Sequence, residues 1–132
     1  MARNGSTAHG MNLWLAVFLG GGLGSMARFG VSRAVLALGL RGAFPWSTLA
    51  ANLLATALLA WLVLRLQPQL EGRDALKAFV AAGFCGGFST FSTFSYENFL
   101  LLREGQHLLV AANIAISVVA GIALFHLIAR SA

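Results

Sequence analysis

An all-α membrane protein of four transmembrane helices, the third of them broken, is the fold class that the sequence predicts, on three observations. Of the 132 residues, 58% are hydrophobic and 10% are charged, against about 25% charged in soluble domains. The apolar residues gather into four blocks, 12–38, 46–66, 75–102 and 107–129, each at or above the roughly 20 residues a helix needs to cross a hydrocarbon core. The third block carries Gly83, Gly86 and Gly87 and then, without pause, serines and threonines. Glycine weakens a helix by roughly 0.8–1 kcal/mol relative to alanine, so the glycines mark where this helix is expected to break.

The ten residues before Met11 are polar and include Gly5, Ser6 and Thr7. They read as a disordered tail over 1–11, which leaves 12–132 as a single membrane domain. The first block runs on past Arg28 and Arg33, too far for the apolar core of about 7–15 residues of a cleaved signal peptide. Its Gly20 and Gly24 form a small-xxx-small pair, which lets helix backbones approach closely in lipid. Gly22 to Ala27 also fits a loose dinucleotide pattern, but no strand precedes it and the context is an apolar span, so nucleotide binding is dismissed. Arg28 inside a span costs at least roughly 2.5–3.5 kcal/mol without water or a partner. It therefore faces an aqueous vestibule or, if the span ends earlier, snorkels at the interface.

The second block has one strongly polar core residue, Asn52, with Thr56 one turn on. An amide in lipid must find a partner, so Asn52 either glues helices together or lines a polar path. The fourth block repeats the pattern with Asn113 and Ser117 on one face and Gly121 continuing the stripe, a face expected to look inward.

The charges agree with a membrane location. The net charge is +5, which in this setting points to membrane flanks and phospholipid headgroups rather than nucleic acid. Four spans put both termini on one side, where Arg3, Arg65, Arg73, Lys77 and Arg130 lie. Arg33, Arg41 and Arg103 lie on the other. So small a bias leaves orientation weakly specified, and a chain that inserts both ways is able to form an antiparallel homodimer. The lone Cys85 has no intrachain disulfide partner and reads as a buried structural thiol. His9, His107 and His126 stand apart from other ligand-type residues, so metal binding by side chains is not expected. Of the acids only Glu97 lies well inside a block. No paired carboxylates or nucleophile-base set is evident, and the chain is not expected to be an enzyme.

Beyond the glycines, Phe88 to Ser95 repeats phenylalanine, serine and threonine. A period of three advances about 300° in a helix, so Phe88, Phe91 and Phe94 would form a slanting ladder beside rows of hydroxyls. The edge of a phenyl ring is the positive end of its quadrupole, and hydroxyls donate hydrogen bonds without the full charge that would trap an ion. Such a lining suits a small anion that must enter and leave. The rings would otherwise face lipid while the hydroxyls bond back to their own helix; the neighbouring glycines favour the lining.

The run Gly83-Phe84-Cys85-Gly86-Gly87-Phe88-Ser89-Thr90-Phe91-Ser92-Thr93-Phe94 closely resembles the third-helix signature of the Fluc (CrcB) fluoride channels. The glycine-rich first helix ending in Arg28-Phe29, the run Ser47 to Asn52, and Ser117 with Gly121 also fall where that family has counterparts. The resemblance implies a dual-topology antiparallel homodimer with two fluoride pores, a sodium ion on the two-fold axis, and passive escape of fluoride from a bacterial cytoplasm across the inner membrane. It implies that Phe91 and Phe94 meet fluoride edge-on, with Asn52, Ser92, Thr93 and Ser117 as a polar track, Arg28 in the vestibule and Glu97 toward the pore's other end. Sodium would take backbone carbonyls near Gly86 and Ser89. Asn113, also expected in the pore lining, stands where the family usually has tyrosine, Ser89 where threonine is commoner, and Ala55 where glycine often follows the asparagine.

Two rival readings compete with the channel. A small dual-topology multidrug exporter needs a membrane-embedded acid in its first helix, and block 12–38 has none. A structural membrane subunit would pass no ions by itself.

Overall fold

The hydrophobic blocks fold into helices laid side by side, described by the computed structural model over residues 4–131. Helix α1 is Asn4–Ala37, with its apolar span at Asn12–Ala37. It ends at Gly39, whose φ of 76° is the left-handed conformation that closes helices and that glycine adopts without a Cβ penalty. Helix α2, Trp46–Trp61, follows Pro45, and proline suits a helix entrance because it has no amide hydrogen to leave unpaired. It widens into a π-bonded turn at Leu62–Leu66 and tightens into a 3₁₀ turn at Gln67–Leu70.

Helix α3 has three parts: Asp74–Lys77, the π-bonded Ala78–Cys85 and Gly86–Phe88. Ser89 (φ −81°, ψ 157°) and Thr90 (φ −151°, ψ 122°) are then extended, and α4 begins afresh at Phe91–Arg103. Helix α5 is His107–Arg130. Among the described residues there is no strand, and three stretches are long and apolar enough to cross a membrane as single helices: Asn12–Ala37, Trp46–Leu70 and His107–Arg130. The chain is a multi-pass membrane protein. Near the ends of α2 and α5, Arg65 Nη2 donates to the carbonyl and hydroxyl oxygens of Ser131. These two helices therefore run in the same direction.

The interruption lies past the glycines expected to cause it. Gly83, Gly86 and Gly87 are all helical, and Gly83 and Gly87 serve the contact with α1. A Cβ on Gly20 would overlap the carbonyl oxygen of Phe79, one on Gly24 that of Phe84, and one on Gly87 that of Gly21. A Cβ on Gly83 would stand 3.0 Å from Gly20 Cα. Missing side chains let two backbones touch, and that contact outweighs the weak helix propensity of glycine.

Two further expectations are corrected. The ladder of rings is cut at Ser89: Phe88 is buried, pairing with Phe84 at 5.6 Å and packing on Ala51 and Ala55. Phe91, 79% exposed, pairs instead with Phe94 at 6.1 Å. The tail read as disordered over 1–11 is helical from Asn4, since an existing helix extends by one hydrogen bond per residue without a new nucleus. Residues 1–3 lie outside the described residues.

Candidate functional site

The two extended residues between α3 and α4 leave backbone groups without helical partners, and neighbouring side chains supply the substitutes. The amide of Thr90 donates to Asn52 Oδ1 at 2.8 Å, and Asn52 Nδ2 donates back to the Thr90 carbonyl at 3.4 Å. One side chain thus grips both backbone polar groups of Thr90, which explains why a lone amide is tolerated in α2. Thr56 supports it by donating to the Asn52 carbonyl at 2.7 Å. Thr90 is also the N-cap of α4, its hydroxyl oxygen accepting from the Thr93 amide at 3.3 Å, the ordinary way of satisfying a helix's first donors.

These bonds free two carbonyls. In an unbroken helix the Thr90 amide would bond to the carbonyl of Gly86, and the Thr93 amide to that of Ser89. Asn52 and the Thr90 hydroxyl take those donors instead. Ser89 turns its own amide and hydroxyl to the Cys85 carbonyl, at 3.0 and 2.8 Å. A side-chain atom on Gly86 would meet nothing within 4 Å.

Thr90 forms part of the wall of two cavities. One, about 300 Å³, is lined by Asn52, Thr56, Ser89, Thr90, Phe91, Phe94, Ser117 and Val118. Its walls hold two rings, four hydroxyls and an amide, and no charged group. The other, about 240 Å³, is lined by Ser25, Arg28, Phe29, Ser32, Ser47, Thr48, Thr90, Thr93 and Glu97. Arg28 is half-buried there. Thr48 donates to Glu97 Oε1 at 2.7 Å, while Glu97 Oε2 is buried without a hydrogen-bond partner.

The expected site residues are therefore divided. Asn52, Phe91, Phe94 and Ser117 share the aromatic cavity with Ser89, and Arg28, Thr93 and Glu97 share the charged one. Ser92 is exposed and lies 3.4 Å from the Thr90 hydroxyl. Asn113 is 1% exposed and reaches neither cavity; it donates to Asn98 Oδ1 at 3.0 Å and accepts from Ser117 at 3.4 Å. In this chain it holds α5 to α4 and positions Ser117.

Replacing Asn113 with alanine is expected to leave the Asn98 carbonyl oxygen buried and unpaired. That should cost about 1–2 kcal/mol, read as a lower melting temperature in detergent, and Asn113→Leu should not recover it.

Thr90, Thr48 and Asn98 were not singled out from sequence. Thr90 was legible as a helix cap, being a threonine ahead of a new helix, but the triplet repeat hid it. Thr48 and Asn98 were hidden because Thr48 bonds to Glu97 on another helix, and Asn98, besides donating to the Phe94 carbonyl one turn back, accepts from Asn113 on α5.

A family model described as "CrcB-like protein, Camphor Resistance (CrcB)" matches residues 15–128. A Pyrococcus abyssi protein named fluoride-specific ion channel FluC is 42% identical over 113 residues, covering 86% of this chain and 89% of its own. Proteins of the same name are similar in Pyrococcus furiosus, 43% identical over 84% of this chain and 88% of its own, and in Salinibacter ruber, 44% over 85% and 81%.

Proposed function

Because the chain belongs to the CrcB family, we propose that it is a fluoride channel, letting the ion run passively down its electrochemical gradient and so giving fluoride resistance. The observation that carries this reading is the uncharged aromatic cavity beside the break. Phe91 and Phe94 stand there with Asn52, whose amide keeps one donor beyond its bond to Thr90. With them are the hydroxyls of Ser89, Thr90 and Ser117, which donate to Cys85, Thr93 and Asn113 and would turn from them to an entering ion. A dehydrated small anion needs several weak donors, and a fixed cation would hold it too long. Arg28 then belongs to an entrance that raises the local anion concentration.

An antiparallel homodimer completes the reading. Ser92 and Ser95 are exposed on α4 beside the exposed Phe91, and hydroxyls at membrane depth need protein or water rather than lipid. The freed carbonyls of Gly86 and Ser89 suit a hard cation, which takes oxygen ligands. In a dimer that pairs its two breaks, both copies would offer them to one sodium ion, whose charge would hold the interface together. We place the protein in the inner membrane of a bacterium.

The test is fluoride efflux from liposomes reconstituted with the purified chain, read by a fluoride electrode beside a matched chloride experiment. Release of fluoride alone is the expected result. Release of both ions would leave a general anion pore, and release of neither would favour a structural subunit. Asn52→Asp puts a negative charge beside the cavity and should suppress fluoride efflux; an unchanged rate would remove Asn52 from the path.

A further inference from the structure

A second groove, about 360 Å³, lies between α2 and α5, bordered by Leu53, Leu54, Ala57, Ala123, Leu124 and Leu127. Leu53 and Ala57 come one residue after Asn52 and Thr56, about 100° around α2. On α2 the groove is thus turned away from the aromatic cavity, while Leu54 and Leu127 at its edge are 53% and 63% exposed. Both helices span the membrane, so an apolar furrow between them faces hydrocarbon.

Beyond the groove, the same two faces become amphipathic and then charged. On α2, Ala57 is succeeded at four-residue intervals by Trp61, 48% exposed, and Arg65. On α5, Leu127 is succeeded three residues later by Arg130. The bonds from Arg65 to Ser131 bring these ends together. Both use Nη2 alone, leaving the Arg65 donors on Nη1 and Nε for another acceptor. An apolar groove, then an exposed indole, then two guanidiniums is the order of an acyl chain, a membrane interface and a phosphate.

We infer that this groove binds one anionic phospholipid, an acyl chain lying between α2 and α5 and its phosphate held by Arg65 and Arg130. A guanidinium pairs with phosphate through parallel hydrogen bonds. Proximity to an anionic headgroup contributes roughly fivefold in affinity for each arginine. The bound lipid would tie the end of α2 to the end of α5 on the side of the chain termini.

The site is tested with the full chain carrying Trp14→Phe and Trp46→Phe, so that Trp61 is the sole tryptophan. The protein is reconstituted in phosphatidylcholine bilayers containing phosphatidylglycerol or phosphatidylcholine with dibrominated acyl chains, and Trp61 quenching is measured against mole fraction. Brominated phosphatidylglycerol should reach half-quenching at a mole fraction at least fivefold lower than brominated phosphatidylcholine. The preference should vanish in Arg65→Gln/Arg130→Gln, persist in Arg65→Lys/Arg130→Lys, and shrink in about 1 M salt, where screening is short-ranged. Equal quenching by the two lipids in the parent would overturn the inference. So would a preference that survives the glutamine pair, or an absence of quenching by either lipid, which would mean that protein covers the groove. The salt comparison on the parent stands even if the glutamine pair fails to fold.

Discussion

Replacing Phe91 and Phe94 together with isoleucine should reduce fluoride efflux from reconstituted liposomes to the leak of protein-free vesicles. Isoleucine keeps apolar bulk at both positions but removes the ring quadrupole, whose positive edge is what a phenyl group offers an anion. The two rings lie 6.1 Å apart on one cavity, so a passing ion would meet both. Each single substitution should slow efflux without stopping it. Folding should be little disturbed at Phe91, which is 79% exposed, since exposed positions usually tolerate substitution within about 0.5 kcal/mol, and at the half-buried Phe94 isoleucine keeps most of the apolar bulk. A double variant that elutes as the parent does yet still conducts would show that the rings lie outside the path.

Gly20→Ala and Gly24→Ala should destabilise the protein by about 1–3 kcal/mol each, the usual cost of overpacking, and combined should leave little folded chain. Their new methyl groups would fall on the carbonyl oxygens of Phe79 and Phe84, backbone atoms that no rotamer change moves aside. Gly22→Ala is the control on the same helix. A Cβ there meets nothing within 4 Å, and alanine improves helix propensity by roughly 0.8–1 kcal/mol. Melting temperatures in detergent should fall for the first two and hold or rise for the third. If all three behave alike, α1 does not rest on α3 through its glycines.

The glycine pair shows how far sequence reading reaches. That Gly20 and Gly24 belong to a close helix contact was evident from their spacing in an apolar span. That the partners are Phe79 and Phe84, and that Gly83 and Gly87 answer from the other side, required the packed chain. The same glycines drew the expected break toward themselves, because propensity is local whereas the contact that keeps them helical comes from another helix. Asn52 was legible as a buried amide in need of partners. That it would hold both backbone polar groups of Thr90, and so secure an interruption in a different helix, was not.

Membrane location and four apolar blocks were determined by the sequence alone, since a hydrocarbon solvent demands long runs of apolar residues whatever they pack against. The alphabet of the site, rings and hydroxyls with one amide, was also in plain view. Tertiary structure decided how that alphabet is divided: Phe91, Phe94 and Ser117 beside Asn52, Arg28 with Glu97 and Thr93, and Asn113 withdrawn to pair with Asn98. The physical reason is that a polar group in a membrane protein takes the partner its packing brings within reach, and for Thr48, Asn52 and Asn113 that partner stands on another helix or at its entrance.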